Sequence, residues 1–216
     1  MPRNKYPEET VQKILDVSLK LFLEQGFEQT TVLDIVSNLG GLTRGAFYHH
    51  FKSKEDVLDA ITEKLWNEVN PFERVRHEKN LNGLEKIKMA MKYSVVEGFV
   101  DERKAEFDKM ALPLLSNPRF LAEQLKHTQE VSYLLAPLLE EGMADGSIRP
   151  GNAKVIAEVF MLLFNIWMIP TIYPCDAQEA GEKVLVIKQM LDALGLPLIN
   201  EEMLEEFGNV VLEYQL

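Results

Sequence analysis

From Thr43 to Lys54 the chain holds three basic residues, Arg44, Lys52 and Lys54, and no acidic one. Tyr48, His49 and His50 lie among them. These side chains share one chemistry, which is hydrogen-bond donation to anionic or electron-rich acceptors. Arg44 can fork onto a base edge or a phosphate, and Tyr48 can donate its hydroxyl to a phosphate. Lys54 can supply an ammonium beside the backbone N–H groups of a helix's first turn. Gly45 and Ala46 follow Arg44 directly, so no bulk holds the backbone away from what it binds. The chemistry indicated is recognition of a polyanion, with no bond made or broken.

The rest of the chain supports that reading by contrast. The 216 residues carry a formal net charge of −11. Residues 1–54 amount to +1 and the remainder to −12. A basic segment on an acidic protein attracts phosphate at one place and repels it elsewhere, which orients the encounter.

Such a segment needs elements that present it, and the apolar spacing is helical almost throughout. Val11, Ile14, Ser18, Leu21 and Phe22 recur at helix intervals after Pro7, and Gly26 closes that helix. Thr31 and Asp34 have capping-box spacing and open a second helix, with Ile35 and Leu39 inward and Gly40-Gly41 ending it. Thr43 caps a short third helix, "RGAFYHHF", in which Phe47 and Phe51 share a face that should pack inward. His50 reads as half-buried packing. Ser53 and Asp56 repeat the cap spacing for a fourth helix that runs to Asn70-Pro71. Further helices are expected near 82–100, 103–115, 118–143, 153–169, 177–194 and 201–214, with Pro113 and Pro137 ending or kinking the runs they interrupt. No strand pattern of useful length appears. The expectation is an all-α protein, and the second and third helices joined by "NLGGLT" form a helix-turn-helix. The second helix of such a pair enters the major groove.

The stretch "TTVLDIVSNLGGLTRGAFYHHFKSKEDVL" resembles the signature of the TetR family of bacterial transcriptional regulators. The likeness lies in the paired threonines, the Gly-containing turn, small residues opening the third helix, the Tyr-x-x-Phe pair and the Lys-Ser-Lys-Glu run. It implies a homodimer in which a three-helix DNA-binding domain precedes a larger helical domain that binds an effector and dimerises. The division is placed at 1–52 and 53–216. Carried over residue by residue, Thr31, Thr43, Arg44, Gly45, Tyr48, His49 and Lys54 are the expected contacts to double-stranded operator DNA. The implied function is ligand-responsive regulation, as a repressor released from a palindromic operator.

The larger region offers compositional signals. Trp66, Tyr93, Phe99, Phe107, Met110, Tyr133 and Trp167 are soft or aromatic side chains suited to an apolar or aromatic effector of unknown identity. Asn165, polar within an apolar helix, needs a partner and could orient such a ligand. In the helix 177–194, Ala180, Val184, Ile187, Leu191 and Leu194 follow a heptad rhythm. The helix 153–169 is apolar almost all round. Together they suggest a four-helix seam between two subunits, with Val159 and Leu163 from the first helix. Packing inside one subunit is the plainer alternative for the heptad.

Other classes find little support. There is no GxGxxG, P-loop, HExxH, GxSxG or CxxC, so neither an enzyme nor a cofactor is expected. His77 and His127 have no companions at metal-ligand spacing, and no metal is expected. The lone Cys175 suits a reducing compartment, and no apolar leader opens the chain, so the cytoplasm is the expected location. The most apolar run, Val155 to Ile169, contains Glu158 and Asn165 and is too short to span a bilayer. No membrane association is expected.

Overall fold

The computed structural model describes residues 7–94 and 102–205 of the chain. Every element among them is helical. They are α1 (Pro7–Gln25), α2 (Val32–Asn38), α3 (Arg44–His50), α4 (Lys54–Val69), α5 (Pro71–Arg76), α6 (Gly83–Lys92), α7 (Glu102–Ala111), α8 (Pro118–Asp145), α9 (Ala153–Leu162) and α10 (Ala177–Ala193). A 3-10 turn, Leu112–Ser116, follows α7, and a π-helical stretch, Leu163–Trp167, continues α9. No described helix is long and apolar enough to cross a membrane. The described residues pack as two compact units, one of those up to Glu68 with Glu106–Ala111, the other formed by the remaining described residues.

In the N-terminal unit, α1 turns its apolar face inward with Ile14 and Phe22 fully buried. Phe27 stacks edge-on against Phe22 at 5.1 Å. Ile35 and Leu39 of α2, Phe47 of α3, and Val57, Leu58, Ile61 and Leu65 of α4 complete this core. Those four burials put α4 in the same packing unit as α1–α3, beyond residue 52. Expecting a functional division at that residue is a separate matter. Between α2 and α3, Gly40 and Gly41 both have positive φ, 58° and 97°. Most L-residues would be strained there, so the tight turn depends on glycine.

The C-terminal unit is built around α8, which packs against α5, α6 and α9. Of the two outcomes expected at Pro137, an end or a kink, the helix does not end there: α8 runs on to Asp145. Pro137 and Tyr133, one turn earlier, are both exposed, so the carbonyl left without an N–H partner lies on the water side. Pro113 does coincide with the end of an α-helix. The short α5, capped by Asn70, had no counterpart in the sequence reading. The expected helices 82–100 and 201–214 are described only through residues 94 and 205, and their remainders lie outside the described residues.

The start of α6 is fastened to the end of α8. The N–H of Gly83 donates to Asp145 at 2.8 Å, and that of Leu84 to the Ser147 hydroxyl at 3.2 Å. A Cβ at Gly83 would lie 2.2 Å from the Gly142 nitrogen, so glycine is needed for this approach. Lys86, almost wholly buried, donates to Glu141 at 2.6 Å across the same pair of helices.

Candidate DNA-contact surface

The recognition segment folds for local reasons. The Thr31 hydroxyl accepts from the N–H of Asp34 at 3.1 Å, and the Thr31 N–H donates to the Asp34 carboxylate at 2.8 Å. This is the capping box read from the sequence. The same hydroxyl donates to Asp34 at 2.6 Å. These bonds, the hydroxyl's first, hold the Asp34 carboxyl below its usual range. At α3, the Thr43 hydroxyl accepts from the N–H of Ala46 at 3.2 Å and fixes the first turn. The fully buried Phe47 sets the roll of α3, with its ring 6.2 Å from that of Phe51. Phe51 is only half-buried.

With Phe47 inward, Thr43, Arg44, Gly45, Tyr48 and His49 are all exposed. Arg44 and Tyr48 sit one turn apart, and the guanidinium donates to the Tyr48 hydroxyl at 3.4 Å. Tyr48 is braced by an edge-on contact with Phe47 at 5.4 Å. A Cβ on Gly45 would come no closer than 3.7 Å to another group of the chain, so internal packing does not demand glycine there. This face offers a cation, a phenol and an imidazole over a flat backbone.

His50 turns the other way and is half-buried, as its position suggested. Its Nε2 is buried and has no hydrogen-bond partner. Burial first, and the neighbouring His49 second, push its pKa below the ordinary histidine value.

Two expected DNA contacts are engaged within the chain. Thr31 is exposed, yet its hydroxyl hydrogen is used by Asp34. Lys54 Nζ donates to the carbonyls of Phe27, at 2.7 Å, and Glu28, at 3.1 Å. Sequence spacing places Lys54 in the first turn of α4, but nothing local signals acceptors 26 and 27 residues away.

The residues expected to line an effector pocket fall in both packing units. Trp66, Phe107 and Met110 belong to the N-terminal packing unit, and Tyr93, Tyr133, Asn165 and Trp167 to the other. Phe99 lies outside the described residues. Phe107 is buried, Tyr133 is half exposed, and Tyr93 lies under the Arg74 guanidinium at 3.7 Å. A hollow along α4 is lined by Ala60, Glu63, Lys64, Asn67 and Glu68 and contains none of them. At Asn165 the backbone carbonyl finds a partner, the Gln124 amide at 3.2 Å. Gln124 was missed because its role depends on the π-helical turn, which no sequence signal marked.

The expected dimer residues divide by burial. Ala180, Val184, Ile187 and Leu191 are buried inside the protomer, Ile187 completely. Their heptad rhythm is intrachain packing, the plainer alternative. Val159 and Leu194 are exposed, and Leu163 is partly so. Outward apolar side chains here include Val155, Val159 and Leu162 of α9, Leu185, Val186 and Met190 of α10, and Leu194 just past its end.

Comparison with known proteins places these features in context. Residues 14–61 match the model of bacterial regulatory proteins, tetR family. The HTH-type transcriptional repressor KstR2 of Rhodococcus jostii (strain RHA1) is 32% identical over 143 residues, covering 63% of this chain and 67% of the relative. KstR2 of Mycolicibacterium smegmatis is 26% identical over 190 residues, covering 84% of this chain and 89% of the relative. Among solved structures, a SmeT–triclosan complex superimposes with a TM-score of 0.59 at 23% identity, over 94% of this chain and 91% of that one.

Proposed function

We propose, from the premise that the chain belongs to the tetR family of bacterial regulatory proteins and is a DNA-binding transcriptional regulator, that it represses genes from a palindromic operator. The observation that carries this reading is α3, whose exposed face holds Thr43, Arg44, Gly45, Tyr48 and His49 on an otherwise acidic chain. Arg44 reads base edges in the major groove. Tyr48 and His49 hold phosphates, and Gly45 lets the backbone approach. Thr31 reaches phosphate by giving up its hydroxyl bond to Asp34. The DNA-contacting part is residues 1–52, and effector binding and dimerisation belong to 53–216.

The active species is a twofold dimer, because two recognition helices on one palindrome require that symmetry. Its seam is the exposed apolar face of α9 and α10. TetR-family regulators bind small effectors as well as operator DNA. Here the effector is an apolar or aromatic molecule of the larger unit, with Tyr133 or Asn165 as orienting groups. It releases DNA by preferring a conformation in which the two α3 helices are wrongly spaced. A regulator of this kind works in the cytoplasm, where the chromosome is.

The experiment is selection of duplex fragments from sheared genomic DNA, followed by binding of the selected fragment to Arg44→Ala. The substitution should cost about 1–3 kcal/mol and relax preference at one base position per half-site. Unchanged affinity and preference would remove Arg44 from the contact set.

A further inference from the structure

We infer that Lys54 is a positioning residue: it clips the first turn of α4 to the turn that leads from α1 into α2, and leaves phosphate to others. The inference rests on the DNA-binding role and revises one contact expected of it. Three observations, all within the N-terminal unit, support it.

Lys54 Nζ donates to Phe27 O at 2.7 Å and to Glu28 O at 3.1 Å. The ammonium also sits 4.4 Å from the centroid of the Phe27 ring. It therefore has two carbonyl acceptors and an aromatic face, a setting that suits a cation with no anion present. Two of its three N–H bonds are used.

The segment it grips also has bonds of its own: the Gln25 amide donates to the Thr30 hydroxyl at 3.1 Å and the Gly26 N–H to Phe22 O at 3.0 Å. Gly26 ends α1, and the Thr30 N–H donates to the same Phe27 carbonyl at 3.2 Å. The buried Thr30 hydroxyl donates to Gly26 O at 2.8 Å. Thr31 then caps α2. Lys54 is the cross-link from α4 to this turn, and the turn sets where α2 begins. Since α2 and α3 pack as a pair, fixing α2 also fixes the presentation of α3.

A phosphate ligand and a clip differ in what salt does. A lysine that neutralises a phosphate contributes about one unit to the dependence of log affinity on log salt. A clip contributes nothing to that slope and acts through the fraction of molecules whose turn is correctly set. The test uses the full chain and a duplex it selects from sheared genomic DNA. Lys54→Met keeps the stem and removes the ammonium. It should weaken binding about tenfold, as when the competent fraction falls to about a tenth, with the salt slope unchanged. Phe27→Leu removes the ring. Combined with Lys54→Met it should weaken binding less than the product of the two single effects, because both undo one clip. In the wild-type protein, where no folding defect can intervene, nuclear Overhauser contacts from the Lys54 side chain to the Phe27 ring should persist when the duplex is added. A slope reduced by about one unit in Lys54→Met, or loss of those contacts on DNA binding, would overturn the clip and return Lys54 to phosphate. Independent effects of Lys54→Met and Phe27→Leu would overturn it too. Failure of Arg44→Ala to alter base preference would challenge the reading of α3 and leave these outcomes unaffected.

Discussion

At the scale of single residues, the molecule separates side chains that face outward for recognition from neighbours that hold the fold. His49 and His50 are adjacent, with ring centroids 5.0 Å apart, yet one is exposed and the other has its Nε2 buried without a partner. Burial disfavours the imidazolium, so the folded pKa of His50 is lower than the unfolded value near 6.5. Between the two values the unfolded chain binds more protons than the folded one. The contribution of His50 to stability is therefore complete above about pH 6.5 and is lost as pH falls through the folded pKa. Thermal unfolding of the wild type and of His50→Gln, followed from about pH 8 to pH 5, should diverge in that window. The wild-type midpoint should fall more steeply with acid, and parallel curves would show that His50 does not titrate with folding. DNA binding by His50→Gln at about pH 8 should change little, because this ring is not on the exposed face of α3.

At the scale of elements, the caps and turns of the N-terminal unit were legible because they depend on local chemistry. Thr31 with Asp34, Thr43 before α3, Ser53 with Asp56, and Gly40-Gly41 each act within a few residues of themselves. The exposed face of α3 followed from Phe47 taking the inward position. What escaped reading depends on distant partners. Lys54 meets carbonyls of the α1–α2 turn, and Gln124 meets a π-helical carbonyl. Gly83 belongs to the same class. No local signal marks it, yet it lets α6 approach the Gly142 backbone. Gly83→Ala would place its Cβ 2.2 Å from a backbone nitrogen, so either α6 or α8 must move. The expected loss is about 3 kcal/mol in urea unfolding. Gly181→Ala is the control, since a Cβ there meets nothing within 4 Å on an exposed turn of α10. It should stabilise by up to about 1 kcal/mol. Equal effects of the two substitutions would show that the close approach of α6 and α8 carries no strain-relieving role for glycine.

At the scale of the whole molecule, the proposed dimer would close through one face of α9 and α10. Two hydrogen bonds tie the segments around the ends of these helices: Lys183, early in α10, donates to Trp167 O at 3.3 Å, and Arg149, just before α9, donates to Ala193 O at 3.2 Å. Their inner faces are consumed by the protomer's own core. Their outer faces leave Val155, Val159, Leu162, Val186 and Met190 in water, with Leu194 just past the end of α10, and these are the side chains through which the proposed dimer would close. On α10, Ala180, Val184, Ile187 and Leu191 form a buried apolar stripe, while Val186 and Met190 are exposed. Periodicity locates stripes without saying which neighbour covers each one. The two faces make opposite predictions for a buried charge. Ile187 is fully buried, so Ile187→Glu should unfold the C-terminal unit. Met190 is 41% exposed, so Met190→Glu should leave the protomer folded, with unchanged helical circular dichroism, and should sediment as a monomer. A monomer grips one half-site, and losing the second costs the avidity of two linked contacts, about 10²–10⁴ in operator affinity. The dependence of binding on protein concentration should steepen accordingly. A folded Met190→Glu that still sediments as a dimer and binds its operator as the wild type does would place the subunit interface on some other surface.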